Sequence, residues 1–535
     1  MGVANTFPGG LRTRQIVGAL EIAQAGRKIL ADQPGAGKTA QALLALELVG
    51  MFDRESVTLI LCNVTGCQLT WAGELATRLE TQHDIVVADL TDTRGRKTMP
   101  SVAARNEALG RAIIDATDRG LPLVVLANFE LVRWQIGKPA KMPNLFGLTF
   151  DAVVIDEGHL VLPTMEDRDT KLTQFWFGLK QLRTRPGTIR LDMTGTPDRG
   201  KLWNRYGHWK FLFPEAHTNF WGWCRSNFVV TQGTWGGAEI GKLRNPEAWA
   251  AYDRAHMIRR TKAEMLEGLP PKQWAGDGGI DLPMTQAQFE AYDDYQGYLE
   301  QYEMALVADG KENEAAALRL QFALRSRQMA TCTWNFVEST DADGKKHITG
   351  KPIVAGPEKS NKLAWILDWL DVRGYNDATV DSGKVVIVSY FAEVLHWLQA
   401  ELKAAGYRTR IIDGAASSDA KKVAESEFQR GELDIILLSG HMGVSINLDA
   451  ADDMIFTDVV HDPDKVEQAE DRIHRASRNH ICTYWRLASL DTSDMVVLQT
   501  LDSRYAETRR SYEGMRGVAF ARKMLGLEQE METVQ

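Results

Sequence analysis

Asp32-Gln33-Pro34-Gly35-Ala36-Gly37-Lys38-Thr39 constrains this chain more than any other stretch. An apolar run, Ile29-Leu30-Ala31, precedes it, and an Ala/Leu-rich segment of helical character, 40–48, follows. Strand, glycine-rich turn and helix in that order make a phosphate loop. Its backbone N–H groups point inward, and the helix N-terminus adds positive dipole. The glycines let a ligand approach the backbone; Lys38 then reaches the β- and γ-phosphates and Thr39 holds Mg²⁺. The full pattern places Gly six residues before the Lys, where this chain has Asp32.

A chain of 535 residues exceeds one core, so two or three domains are expected. No apolar run approaches the roughly 18 residues of a membrane span, and the N-terminus lacks a signal-peptide pattern. The expected location is the cytoplasm, nucleoid-associated or in a host cytoplasm, with no membrane partner. Five scattered cysteines without a Cys-x-x-Cys pair argue against structural zinc and a disulfide framework. A net charge of −9 argues against non-specific coating of nucleic acid, but a local basic groove is compatible with it.

Candidate strands lie at 57–62, 85–90, 123–127, 152–155 and 189–193, with helices between them at 68–79 and 102–116. Val/Ile/Leu-rich strands alternating with helices predict a doubly wound parallel sheet. The basic loop at 91–100 reads as solvated. Residues 199–243 are rich in aromatics, which can stack bases, but their apolar company favours core packing. Periodic helices follow at 286–308 and 312–329, the second carrying Arg319, Arg325 and Arg327; 340–357 reads as a loop or hairpin. A second α/β series then runs through 385–388, 410–412, 435–438, 454–456 and 483–487, with a charged helical tail from Arg504.

Val153-Val154-Ile155 runs into Asp156-Glu157-Gly158-His159, placing two carboxylates at a sheet's carboxyl edge, where α/β folds bind ligands. Asp156 is suited to Mg²⁺ and Glu157 to polarising water. Thr194-Gly195-Thr196-Pro197 ends the next strand, with hydroxyls placed to sense a γ-phosphate. Gln468-Ala469-Glu470-Asp471-Arg472-Ile473-His474-Arg475 puts Gln468, Arg472 and Arg475 on one face if helical. Two arginines there can clamp a triphosphate.

In order and spacing these motifs resemble those of superfamily-two helicases, and finer features resemble the Swi/Snf group of double-stranded DNA translocases. That group opens its loop with Ala-Asp, as Ala31-Asp32 does here. Leu11-Arg12-Thr13-Arg14-Gln15 is similar to its adenine-reading motif, with Gln15 as reader. The segment 61–71, with Thr65 and Trp71, resembles its first DNA-contacting motif, although the usual Pro is Asn63. Arg259-Arg260-Thr261-Lys262 and Leu269-Pro270-Pro271-Lys272 look like its inter-lobe junction, 384–391 like motif IV, and Asp413-Gly414 like its Asp-Gly turn. The segment 439–448 resembles motif V; its Met-Gly centre and Ala469-Glu470-Asp471-Arg472 look like the annealing-helicase branch. After Arg475 the usual Ile-Gly-Gln is Ala476-Ser477-Arg478. The sequence shows no chromatin-reading module, an economy that resembles bacterial or phage-encoded members.

The resemblance implies two RecA-like lobes with helical insertions. The first spans 1–262 (core about 10–214, helical and aromatic extension 215–262). The second spans 263–535 (helical insertion about 285–370, core about 376–500, charged tail). It implies ATP and Mg²⁺ as cofactors. Gln15, Gly35, Ala36, Gly37, Lys38, Thr39 and Gln468 would bind the nucleotide, and Thr39 and Asp156 the metal. Lys38, Asp156, Glu157, Arg472 and Arg475 would be catalytic, and His159, Thr194, Gly195 and Thr196 would couple hydrolysis to movement. Thr65, Asn128, Phe129, Ser389, Tyr390, Ser439, His441 and Gly443 would contact double-stranded or branched DNA. The implied activity is a DNA-dependent ATPase that translocates on DNA, remodelling or reannealing it. A strand-separating helicase and a motor acting on a protein partner, docked through the helical or aromatic segments, are the alternatives.

Overall fold

The computed structural model describes residues 10–513 except 65, 80–82, 93–98, 136, 163–170, 199–200, 233–237, 267, 277–278, 312–314, 316–322, 341–345, 353–356, 376–382, 442–445, 459 and 476–479. The chain divides into two compact units after Glu267, the second running from Gly268 to Ala506.

The strands of the first unit are β1 (Arg27–Leu30), β2 (Val57–Cys62), β3 (Val86–Asp89), β4 (Leu123–Asn128), β5 (Thr149–Asp156), β6 (Arg183–Met193), a hairpin of β7 (Phe228–Gln232) and β8 (Ala238–Leu243), and β9 (Met257–Ile258). Seven of them form a parallel sheet in the order β3-β4-β2-β5-β6-β1-β9. Successive residues of a strand point to opposite faces. Here both faces are apolar: Leu59, Leu61, Val153 and Ile155 enter one core, Ile60, Leu126 and Val154 the other. That double burial is why the strands read as continuous apolar runs. The order β5-β6-β1 sets side by side the three strand ends that carry the sequence motifs.

Three local features differ from expectation. Residues Gly66–Trp71 form a π-helical turn before the helix Ala72–Arg78, where one α-helix was expected. β6 starts six residues early and reaches Thr149 and Phe150 across a bulge. β9, absent from the sequence reading, pairs with β1 and brings Arg259 and Arg260 to the phosphate loop. The aromatic segment is core: Trp209 lies 4.7 Å from Trp249 and 5.7 Å from Trp223 between ring centroids. Fully buried Arg205, paired with Asp198 and Asp253, ties that module together. Trp235 lies outside the described residues.

The second unit contains β10 (Lys272–Trp274), β11 (Ile280–Leu282), β12 (Trp334–Thr340), β13 (Lys346–Pro352), β14 (Val385–Ser389), β15 (Thr409–Ile412), β16 (Ile435–Ser439), β17 (Asp453–Phe456) and β18 (Cys482–Ser489). Its parallel sheet runs β10-β18-β17-β14-β16-β15, with β11 also on β18. β12 and β13 form the hairpin half-expected at 340–357. The helix Gln286–Ala308 is as predicted; most of 312–329, including Arg319, lies outside the described residues. The architecture is thus two doubly wound α/β units with helical insertions. All five cysteines are buried free thiols. Among the described residues no helix is long and apolar enough to cross a membrane.

Candidate functional site

The phosphate loop joins β1 to the helix Lys38–Leu48, with Gly35 and Gly37 at φ 78° and 77°. Only glycine adopts that left-handed region without strain. Lys38 Nζ donates to the Asp32 carbonyl at 2.9 Å, which holds the ammonium over the loop. Gln15 Nε2 donates to the Ala36 carbonyl at 3.1 Å, and Gln15 Oε1 accepts from the Arg12 backbone N–H. A Cβ at Gly37 would lie 2.2 Å from Gln15 Nε2, so glycine there is also a packing requirement.

Asp32, fully buried, explains the departure from the usual pattern. Its Oδ1 accepts from the Arg260 backbone N–H and from Arg260 Nε, both at 3.0 Å, and its Oδ2 accepts from Gln41 Nε2 at 3.0 Å. Arg259 Nη1 donates to the carbonyls of Ala31 (3.1 Å) and Gly195 (2.8 Å). By sequence this Arg-Arg pair resembles only part of the inter-lobe junction. Its role as a clamp on the loop depends on the pairing of β9 with β1, which spans more than two hundred residues of chain.

The neighbouring strand ends complete this half of the site. Asp156 closes β5, and its Oδ2 accepts from Trp71 Nε1 at 2.9 Å. Burial, then the charge of Glu157, pushes Asp156 up to about 6, while the Trp71 N–H and Lys38 oppose the rise. Glu157 has φ 54° and ψ 45°, a left-handed conformation that costs a non-glycine residue roughly 1–2 kcal/mol. His159 Nδ1 lies 2.8 Å from Thr194 Oγ1 and 3.3 Å from Glu157 Oε2, and Thr194 Oγ1 accepts from the Thr196 N–H at 3.1 Å. Glu157, His159, Thr194 and Thr196 therefore form a continuous polar chain. Gly195 lets Pro34 pack on it, since a Cβ there would meet Pro34 Cγ at 2.8 Å. Beneath Gly158 sits Asp192, whose Oδ1 would lie 1.9 Å from an added Cβ and which pairs with buried His208. Nothing in the sequence pattern singled out Asp192 or His208. The hydroxyl of Thr39, the Asp156 carboxylate, the Lys38 ammonium and the two left-handed glycines are the donor set that a Mg²⁺–triphosphate requires.

In the second unit the helical expectation for the arginines needs correction. The helix Pro463–Glu470 carries Gln468 but ends before Arg472, and residues 471–475 continue as a tight turn. Arg472 N bonds Ala469 O at 3.0 Å, and both Ile473 N and His474 N bond Glu470 O at 3.2 Å, so the last turn tightens and stops. Arg472 is buried and its carbonyl accepts from Leu448 N at 3.0 Å; Arg475 Nη2 donates to Ile446 O at 3.0 Å. Gln468, Arg472 and Arg475 remain neighbours in sequence without sharing one helix face.

The DNA-contact expectations fare unevenly. Thr65 and Gly443 lie outside the described residues. Phe129 is core, edge-on to Phe175 at 5.7 Å. Ser389 and Tyr390 are buried, with Ser389 Oγ and the Tyr390 N–H both bonded to Asp458. Tyr390 packs beneath Gly440, where an added Cβ would meet its ring at 2.4 Å. All three side chains are buried, Phe129 against Phe175, the Tyr390 ring beneath Gly440 and Ser389 through its hydrogen bond to Asp458. Trp71 is likewise fully buried and turned toward Asp156. Asn128 and Ser439 end buried strands β4 and β16, and His441 is exposed.

Residues 20–333 match the SNF2-related domain family and residues 361–477 the helicase conserved C-terminal domain. The chain is similar to the chromodomain-helicase-DNA-binding protein 1-like of Mus musculus, 23% identical over 500 residues covering 91% of this chain and 48% of that protein. It is 22% identical over 479 residues to the SWI/SNF-related matrix-associated actin-dependent regulator of chromatin subfamily A-like protein 1 of Xenopus tropicalis, covering 88% of this chain and 42% of that protein. The chain thus spans about half the length of these curated relatives. Among solved structures, the Sulfolobus solfataricus SWI2/SNF2 ATPase core in complex with dsDNA aligns over 97% of both chains, with 18% identity and a TM-score of 0.38.

Proposed function

We propose that this chain, which belongs to the SNF2-related domain family, is a DNA-dependent ATPase that couples ATP hydrolysis to movement along duplex or branched DNA. The observation that carries the reading is the adjacency of β5, β6 and β1. It gathers Asp156-Glu157, Thr194-Gly195 and the phosphate loop at one sheet edge, with Pro34 against Gly195. Mg²⁺–ATP, when bound, supplies the hydrolysable γ-phosphate and the ion that neutralises its charge. Lys38 leaves the Asp32 carbonyl for phosphate oxygens, and the loop N–H groups hold the others. Thr39 and Asp156 would hold the ion. Glu157 orients the attacking water and takes its proton. His159 reports the state of Glu157 to Thr194 and Thr196, which lie on the strand end beside the loop. Arg472 and Arg475 are assigned to the triphosphate as its cationic partners.

Finer points belong to the same proposal. The Met-Gly centre of motif V and Ala469-Glu470-Asp471-Arg472 favour reannealing or remodelling over strand separation. A bacterial or phage origin and a cytoplasmic location are part of the same proposal. The insertion helix Gln286–Ala308 offers docking surface to a protein partner.

Steady-state ATP hydrolysis with and without duplex, forked and single-stranded DNA tests the core of the reading. Hydrolysis should rise with DNA, and Lys38→Ala and Glu157→Gln should abolish it. Equal rates with and without every DNA would overturn the proposal. Displacement of a triplex-forming strand without unwinding of a forked duplex is expected of a duplex translocase; fork unwinding would make the enzyme a helicase.

A further inference from the structure

We propose that Lys272 is a positioning residue for the turn that carries Arg472 and Arg475, holding it through Glu470 and Asp471 without touching nucleotide. This rests on the ATPase reading above for its consequence, though not for its geometry.

Lys272 Nζ donates to Glu470 Oε2 at 2.8 Å and lies 3.2 Å from Asp471 Oδ1. Two residues earlier, the Pro270 carbonyl accepts from His474 Nε2 at 2.8 Å. The stretch 270–272 thus grips the arginine turn on both sides of Arg472. That stretch begins just after Gly268, at φ 81°, where the second unit starts. It is itself fixed, because Lys272 pairs with Cys482 in the parallel ladder of β10 and β18. The other carboxylate oxygen of Glu470 lies 3.5 Å from Arg486 Nη2, and the Arg486 guanidinium covers the Trp274 ring at 3.8 Å. Tyr484 Oη donates to the Glu470 carbonyl at 3.3 Å.

Among the described residues, the buried carboxylates of Glu470 and Asp471 both lie against Lys272, and Glu470 lies also against Arg486. Burial alone would discharge Lys272, but Asp471 and Glu470 outweigh it and hold the ammonium well above its ordinary value. Burial also lowers Arg475, and Asp471 is the first acid opposing that effect. Lys272 ties both carboxylates, and with them the turn, to β10. Without Lys272 that tie is lost, the arginines of the turn lose their set position, and turnover suffers more than nucleotide affinity.

The test uses the full chain with Lys272→Met and Lys272→Arg. We expect Lys272→Met to lower kcat about 10- to 100-fold with KM for ATP within about twofold, and Lys272→Arg to recover most of the loss. Because Lys272 acts through the arginines, adding Lys272→Met to Arg475→Ala should cost little more than Arg475→Ala alone. An unchanged kcat, or losses that multiply, would overturn the proposal. Hydrogen exchange at the amides of 472–474 reads the turn without reference to activity and should quicken in Lys272→Met; unchanged exchange overturns the proposal. A wild-type chain that hydrolyses no ATP with any DNA would sink the ATPase reading, while exchange still decides the positioning. If Lys272→Met fails to fold, Glu470→Gln, which keeps the side chain's shape and removes one acid, carries the same measurements.

Discussion

Asp32 stands where the general phosphate-loop pattern has glycine, and its carboxylate is the buried counter-ion of Arg260. Breaking a buried pair by removing one partner typically costs about 3–5 kcal/mol, because the other charge is left uncompensated. Asp32→Gly, which restores the general pattern, should therefore lower the denaturation midpoint markedly rather than improve the site. A midpoint equal to wild type would remove the clamp assignment. Gly158 makes a second residue-scale case. A methyl group there would collide with Asp192 Oδ1, an overpacking that typically costs about 1–3 kcal/mol. Gly158→Ala should destabilise the chain, and Asp192→Ala added to it should cost less than the two changes separately. Strict additivity in a double-mutant cycle would show that the two positions do not meet.

Short irregular elements, more than long regular ones, aim the functional groups. The π-helical turn Gly66–Trp71 delivers the Trp71 indole to Asp156. Trp71→Phe keeps most of the buried surface and removes one charge-assisted hydrogen bond, worth about 1.5–3 kcal/mol. ATP turnover should fall roughly tenfold while the fold is retained by circular dichroism; an unaltered rate would mean that the indole N–H does not hold the carboxylate. The turn after the helix Pro463–Glu470 is the second such element. Arg475→Ala should leave ATP binding measurable while turnover falls by about 10³ or more, the usual worth of an arginine finger. Near-normal turnover would remove Arg475 from that role.

For the molecule as a whole, a net charge of −9 means that any hold on DNA is local rather than global. If the chain grips the phosphate backbone, log affinity for duplex DNA should fall linearly with log salt, with little dependence on base sequence. Fluorescence anisotropy across a salt series would read both. A flat salt response would rule out backbone contacts as the source of affinity.

The sequence by itself determined the α/β architecture, because strands buried on both faces must be continuously apolar: 57–62, 123–127 and 385–388 lie within β2, β4 and β14. It also marked Lys38, Thr39, Asp156, Glu157 and Thr194, whose neighbourhood follows once each is placed at the carboxyl end of a parallel strand. Periodicity failed where the chain leaves regular geometry, at the π-turn before Ala72 and at the turn after Glu470. Local hydrogen-bond choices decide such places, not side-chain spacing. The resemblance places Phe129, Ser389 and Tyr390 among the DNA contacts, and in the structure all three side chains are buried. Only the tertiary structure made Arg260 the partner of Asp32, set Asp192 beneath Gly158 and put Lys272 on Asp471. Asp32 meets Arg260 because β9 pairs with the distant β1, and Lys272 reaches Asp471 from β10, which pairs with the distant β18, whereas Asp192 comes beneath Gly158 across the consecutive strands β5 and β6.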